Sequence, residues 1–263
     1  MNYAYVTLAT NEEYLYMAAY LQSSLRMVKS KYPLIVMITE NLKNHKLLVH
    51  FDKYEIIPHY QFKYSKIERY KNTINKFYLY NFVEYDKLCF IDSDIVLFHN
   101  IDKYFDLAKD IEFVCPTYAP KRFKTEQYYP LNCVMLLTPQ KSSFQMIIEQ
   151  LNKTTEINFT DDESVVRYLL YPNHFNNKQW DNKCNLFENL ENNQQELKYP
   201  IFIHSKVWYN KCKYLFFEIE QLDAENMYNY ILSLHLRPGM SNEKLHQHFL
   251  TIGSLKYYNV RPF

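Results

Sequence analysis

Two carboxylates separated by one small residue, Asp92-Ser93-Asp94, follow the apolar run Leu88-Cys89-Phe90-Ile91. Residues at i and i+2 of an extended chain point to the same side, so both carboxylates can offer oxygen to one point in space. Hard oxygen donors arranged in this way suit manganese or magnesium. An isolated Asp-x-Asp is more often a polar turn than a metal site, so the rest of the chain has to decide. His204 repeats the pattern, because Tyr199-Pro-Ile-Phe-Ile reads as an apolar strand that delivers a ligand type at its end. Asn132 stands at a third such tip, ahead of an apolar strand ending near Thr138. His246 and His248 form the rival metal pair, but they lie in a polar predicted helix without neighbouring acids and read as surface. Lys76 sits near the start of a predicted helix, where the dipole favours negative charge, so its ammonium is out of place unless an anion meets it. Asp161, Asp162 and Glu163 open another predicted helix with the sign of charge that a helix start prefers.

The elements that must position these residues alternate. Tyr3 to Ala9 reads as a strand, and Thr10-Asn-Glu-Glu13 carries helix-start residues for a helix running to about Lys29. Tyr14, Met17, Ala18, Leu21 and Leu25 form the buried stripe of that helix. Pro33 to Thr39 and Glu55 to Ile57 follow as strands, the opening of a parallel α/β sheet. Thr73 to Glu84 is predicted helical and leads into the strand Lys87 to Phe98 that carries the acid pair. A short capped helix over Asn100 to Phe105, a strand over Glu112 to Cys115, a helix over Ser142 to Leu151 and another over Ser164 to Leu170 complete the described pattern. An Asn-rich stretch from Asn173 to Glu196 reads as a loop, and the segments from about Phe216 onward read as appended helices.

Composition narrows the function. At 263 residues the chain suits one α/β domain with additions, a core of about 1–212 and a helical extension of about 213–263. Thirty basic and 29 acidic residues leave a net charge of +1, which gives no electrostatic case for a nucleic-acid or membrane-surface partner. The only glycines are Gly239 and Gly253, so neither a Walker A loop nor a G-x-G-x-x-G loop can be built. Five cysteines without C-x-x-C spacing argue against a zinc site and against a complete disulfide framework. With no apolar stretch long enough to span a bilayer and no leader pattern, a cytoplasmic location with reduced thiols is expected. The abundance of Lys, Asn, Ile, Tyr and Phe is the usage of an AT-rich genome, which fits a large DNA virus as source.

Taken together, these residues resemble glycosyltransferase family 8, the group of glycogenin and galactinol synthase. The resemblance covers roughly residues 3 to 212. Ala4-Tyr-Val-Thr-Leu-Ala-Thr-Asn-Glu-Glu-Tyr14 matches the family's opening strand and turn, and Asn75-Lys-Phe through Asn100-Ile-Asp102 is the most similar stretch, with the acid pair, the lysine before it and the Asn-Ile-Asp after it all in place. The resemblance implies a GT-A fold: a Rossmann-like, mixed but mainly parallel sheet flanked by helices, with C-terminal helices appended. It implies a UDP-glucose or UDP-galactose donor, retention of configuration, and manganese, with magnesium as second candidate, held by Asp92, Asp94 and His204. It further implies uridine contacts from Leu8, Thr10, Asn11 and Tyr14. Sugar and phosphate contacts are implied for Lys76, Ser93, Asn132, Cys133, Asp162 and Glu163, with a phosphate contact from Lys211 and the family's upstream basic residue at Arg69. Lys76 and Asp162 carry the catalytic expectation, and the anion that meets Lys76 is either the donor's sugar-phosphate or the Asp162 carboxylate. A polyol, a glycan or a protein hydroxyl is the expected acceptor, and a homodimer is allowed for. Three departures stand out: the family's Asn-small-Gly tip reads Asn132-Cys133-Val134, the motif after the strand-end histidine keeps only Lys211, and no tyrosine lies between Gln179 and Lys198, where glycogenin carries its self-glucosylated tyrosine, so self-glucosylation at that position is not expected. The other reading of the same scaffold is a non-catalytic binder of a nucleotide sugar or partner protein.

Overall fold

Seven residues without a charge, Tyr3-Ala-Tyr-Val-Thr-Leu-Ala9, make the first strand β1, and its neighbour β2 is likewise uncharged. The computed structural model describes residues 1–63, 65, 68–109, 112–115, 117–118, 129–130, 132–153, 161–170 and 202–204. After β1 come α1 (Glu12–Met27), β2 (Leu34–Thr39) and β3 (Lys53–Ile57). A 3₁₀ helix (Thr73–Asn81) leads to β4 (Lys87–Ile91), β5 (Ile95–Leu97) and α2 (Lys103–Leu107). Then follow β6 (Phe113–Val114), β7 (Thr117–Tyr118), β8 (Tyr129–Pro130), β9 (Val134–Leu137), α3 (Lys141–Lys153), α4 (Asp162–Val165) and β10 (Phe202–His204).

Among the described residues six strands form one sheet in the order β3-β2-β1-β4-β9-β6. The first four run parallel, β9 is antiparallel to β4, and β6 is antiparallel to β9. The sheet is therefore mixed and mainly parallel. Two smaller pairs, β5 with β10 and β7 with β8, stand apart from it. Strand alternation sorts the core into two layers. Tyr3, Tyr5, Val36, Ile38, Cys89 and Ile91 pack on the side of α1. Ala4, Val6, Ile35, Met37, Leu88 and Phe90 pack on the other side with residues of the 3₁₀ helix, α3 and α4.

Several elements differ from the sequence reading, among them the short helix predicted over Asn100 to Phe105, which runs over Lys103–Leu107 without a side-chain cap. The predicted helix over Thr73 to Glu84 is a 3₁₀ helix that stops at Asn81. Its buried residues Ile74, Phe77 and Tyr80 recur every third position, in keeping with the eclipsed i and i+3 side chains of a 3₁₀ helix. Asn75 fastens it from the side, accepting from the Tyr60 N–H at 2.7 Å and donating to the Tyr60 carbonyl at 2.8 Å. The helix α1 ends at Met27 rather than Lys29, because Lys29 adopts a left-handed φ of 55° and the Ser30 N–H turns back to the Leu25 carbonyl. The predicted Ser164 to Leu170 helix is a short α-turn continued as a π turn over Val166–Leu170. Among the described residues no helix is long and apolar enough to cross a membrane.

Candidate active site

In a sheet whose central strands run parallel, the carboxyl ends gather at one edge, and that edge collects the predicted chemistry. The turn after β1 supplies Thr10 and Asn11, the turn after β4 supplies Asp92 to Asp94, and the start of antiparallel β9 brings Asn132 and Cys133 alongside. The Asp92 N–H donates to the Cys133 carbonyl at 2.8 Å, which ties the acid turn to the asparagine tip.

Strand parity aims the first carboxylate. Leu88 and Phe90 face the 3₁₀ helix, and Asp92, next in that series, meets Lys76 from the same helix. The Lys76 ammonium donates to Asp162 Oδ2 at 2.6 Å, to Asp92 Oδ1 at 3.2 Å and, in a longer contact, to the Asn132 carbonyl at 3.4 Å. An ammonium has three N–H donors, so these contacts use its full set. The Phe90 ring centroid lies 5.0 Å from the nitrogen and adds a cation–π contact. Lys76 is only 4% exposed. Burial by itself would push its pKa down, but the Asp162 and Asp92 carboxylates outweigh burial and hold it above the ordinary lysine value.

The acids at the start of α4 divide their work. Asp161 caps the helix, accepting from the Ser164 N–H at 2.8 Å in a capping box, and this leaves Asp162 to face Lys76. The anion that meets the misplaced lysine is thus a protein carboxylate from a segment 86 residues away.

One expectation changes. Asp92 and Asp94 do not lie on an extended strand, because the Ile95 N–H donates to the Asp92 carbonyl at 3.1 Å and the pair brackets a turn between β4 and β5. The chain must change direction there, since β5 leaves the main sheet to pair with β10. Asp94 and Ser93 are buried in that turn. β10 places the backbone of His204 opposite Ile95, beside the acid turn, whereas the His204 side chain lies outside the described residues. Two carboxylates on one turn, with a histidine position in register next to them, make a donor set that suits a hard divalent cation. Among the described residues alone, no group of three or more His, Cys, Asp and Glu converges as a metal cage, so His204 would have to complete the set.

Asn132 is 3% exposed, and neither atom of its side-chain amide has a hydrogen-bond partner among the described residues. A buried orphan amide beside an ion-pair cluster is costly unless a ligand or water meets it. Cys133 is buried next to it. Leu8 and Tyr14 are half-buried and pack on opposite layers of the core. The Thr10 carbonyl accepts from Thr39 at 3.2 Å, and Asn11 caps α1 by accepting from the Tyr14 N–H at 3.0 Å. Glu163 is half-buried next to Asp162. Arg69 lies in a short 3₁₀ turn, Glu68–Tyr70, with its side chain outside the description. Lys211, His246, His248 and the extension of about 213–263 lie outside the described residues. The sequence reading missed Phe90 as the ring beneath the ammonium and Asn75 as the fastener of its helix. The first was signalled by the 88-90-92 parity of β4.

No protein-family model matches the chain. It is similar over 115 residues, 40% of its length, to galactinol synthase 5 of Arabidopsis thaliana, at 36% identity and covering 34% of that protein. It is also similar over 205 residues, 72% of its length, to glycogenin of Komagataella phaffii, at 22% identity and covering 49% of that protein. A third relative is glucose N-acetyltransferase 1 of Candida albicans, 24% identical over 213 residues, with 45% of that protein covered. These relatives are members of glycosyltransferase family 8. The chain spans about a third to a half of the length of these family 8 relatives. Among solved structures, the galactosyltransferase LgtC in complex with donor and acceptor sugar analogues shares the fold, with a TM-score of 0.51, 13% identity, and coverage of 90% of this chain and 98% of that one. The fold is accordingly the GT-A arrangement of glycosyltransferases.

Proposed function

We propose that the chain is a retaining, manganese-dependent hexosyltransferase that moves glucose or galactose from a UDP-sugar to a hydroxyl on a polyol, glycan or protein. The observation that carries this reading is the Lys76 ammonium, which joins the acid turn at Asp92 to Asp162 across the carboxyl edge of the sheet. Sugar transfer breaks the bond between the anomeric carbon and the diphosphate, and the departing electron pair must be received as negative charge on phosphate oxygen. Preorganised positive charge in a dry site stabilises such charge as it develops. Asp92, Asp94 and His204 would hold the cation, which when bound supplies charge neutralisation to the leaving diphosphate. Lys76 keeps a second positive charge fixed beside that edge. Asp162, held by Lys76, orients a hydroxyl of the sugar or acceptor, and the orphan amide of Asn132 offers both a donor and an acceptor to a sugar hydroxyl. The acceptor oxygen bonds to the anomeric carbon from the face that the diphosphate leaves, and its proton passes to the released diphosphate.

The test is release of UDP from UDP-glucose or UDP-galactose with and without manganese. Metal-dependent release supports an enzyme, whereas tight donor binding with no turnover under any acceptor supports the inert scaffold instead. Asp92→Asn, Asp94→Asn and His204→Ala are each expected to abolish metal-dependent UDP binding while the melting curve keeps its shape. Full retention in the His204 variant would move the third ligand to His246 or His248.

A further inference from the structure

We propose that the Lys76 ammonium is the resident counter-ion of this acid site and holds down its affinity for a divalent cation until a nucleotide diphosphate arrives. The inference rests on reading Asp92 and Asp94 as cation ligands. Lys76 is buried, its three donors are all engaged, and its shortest contact, 2.6 Å, is to Asp162 rather than to the acid turn. The ammonium is therefore anchored from behind by Asp162 and flanked by the Phe90 ring, so it cannot swing away when another cation approaches Asp92. A cation that takes Asp92 Oδ1 competes with the 3.2 Å hydrogen bond from Lys76 and shares the neighbourhood with its charge. Like charges a few Å apart in a protein interior repel strongly. A diphosphate reverses this balance, because the N–H released from Asp92 becomes a charge-assisted donor for an anion. Cation and diphosphate binding are thereby coupled through one side chain, and the coupling is reciprocal.

A lysine that merely braced the fold would behave in the opposite way, since its loss would loosen the acid turn and weaken cation binding. The experiment is a titration of manganese into the full chain, with free ion followed by electron paramagnetic resonance and bound ion by calorimetry, with and without UDP. In Lys76→Met the nucleotide-free affinity for manganese should rise about fivefold, and the factor by which UDP raises it should shrink by the same amount, at the lower end of ordinary coupling. In Asp162→Asn the ammonium loses its anchor and leans on Asp92, so nucleotide-free affinity should fall about threefold. Should Lys76→Met fail to fold, the Asp162→Asn result decides by its sign. Weaker nucleotide-free binding in a folded Lys76→Met, or unchanged or stronger binding in Asp162→Asn, overturns the counter-ion role and leaves the proposed function standing. Absence of manganese binding to every form, with or without UDP, overturns the cation site itself and this inference with it.

Discussion

Lys76 was conspicuous in the sequence because a cation near a helix start opposes the local dipole, and the structure accounts for it with two carboxylates and a carbonyl. Such a residue should matter more for turnover than for holding UDP. We expect Lys76→Ala to lower the transfer rate by roughly two to three orders of magnitude, the usual loss when one preorganised charge partner is deleted. UDP affinity at saturating manganese should change by no more than about fivefold, within ordinary coupling. Asp162→Asn should resemble it, and the double variant should be far from additive, because both side chains act in one ion pair. Steady-state kinetics of the two single variants and the double variant check this, and near wild-type turnover in either single variant would move the role to Arg69 and Glu163. The residue types of the site were legible because charges at apolar strand ends are rare. The turn between Asp92 and Asp94 was not, since strand propensity continues on both sides of it and only the pairing of β5 with β10 forces the bend.

At the scale of elements, the acids opening α4 show how one short segment serves both fold and site. Sequence reading left open whether Asp161, Asp162 and Glu163 capped a helix or served a site, and in the structure Asp161 caps the helix while Asp162 meets the Lys76 ammonium. Asp161→Ala removes the acceptor for the Ser164 N–H and should cost about 1 kcal/mol in urea unfolding. Because the cap fixes the first turn, the same change should also slow transfer by displacing Asp162. Asp161→Asn keeps an N-cap acceptor and should restore most of both. A stability loss with unaltered transfer rate would show that Asp162 is held by Lys76 alone. The 3₁₀ geometry of Thr73–Asn81 was hidden for another reason. Rows at i and i+3 also belong to an α-helical stripe, and the buried pairs Asn75 with Leu79 and Lys76 with Tyr80 stand at i and i+4 as an α-helix would place them.

For the whole molecule, the strand-helix-strand order and the nearly continuous apolar runs of β1, β2 and β4 made a mainly parallel sheet readable. The antiparallel insertion of β9 beside β4 was not readable, because a short apolar strand carries no mark of its direction. The α1 face of that sheet holds two acids that the fold keeps neutral. Burial first, and then the neighbouring Cys89 thiol and Asp102 carboxylate, push the Tyr5 phenol far above its ordinary pKa. Burial, followed by Asp102, does the same to the Cys89 thiol. Asp102 accepts from Tyr5 Oη at 2.8 Å, Ser30 Oγ at 2.7 Å and the Lys31 N–H at 3.0 Å, so the carboxylate that ties β1 to the end of α1 also disfavours ionisation beside it. A group whose folded pKa is raised contributes stability that is complete below its unfolded pKa and is lost as pH rises past it, because the unfolded chain then releases a proton the folded chain retains. Stability should therefore stay level through neutral pH, begin to fall near about pH 8.5 as unfolded thiols ionise, and fall more steeply near about pH 10 as Tyr5 joins. Lys76 adds the same sign only above about pH 10.4, so it cannot cause the first decline. Urea unfolding of wild type and Cys89→Ala between about pH 7 and pH 11 separates these steps, since the variant should cost stability at neutral pH yet lose less between about pH 8.5 and pH 9.5. If both curves fall in parallel through that window, the early alkaline loss does not come from the buried thiol.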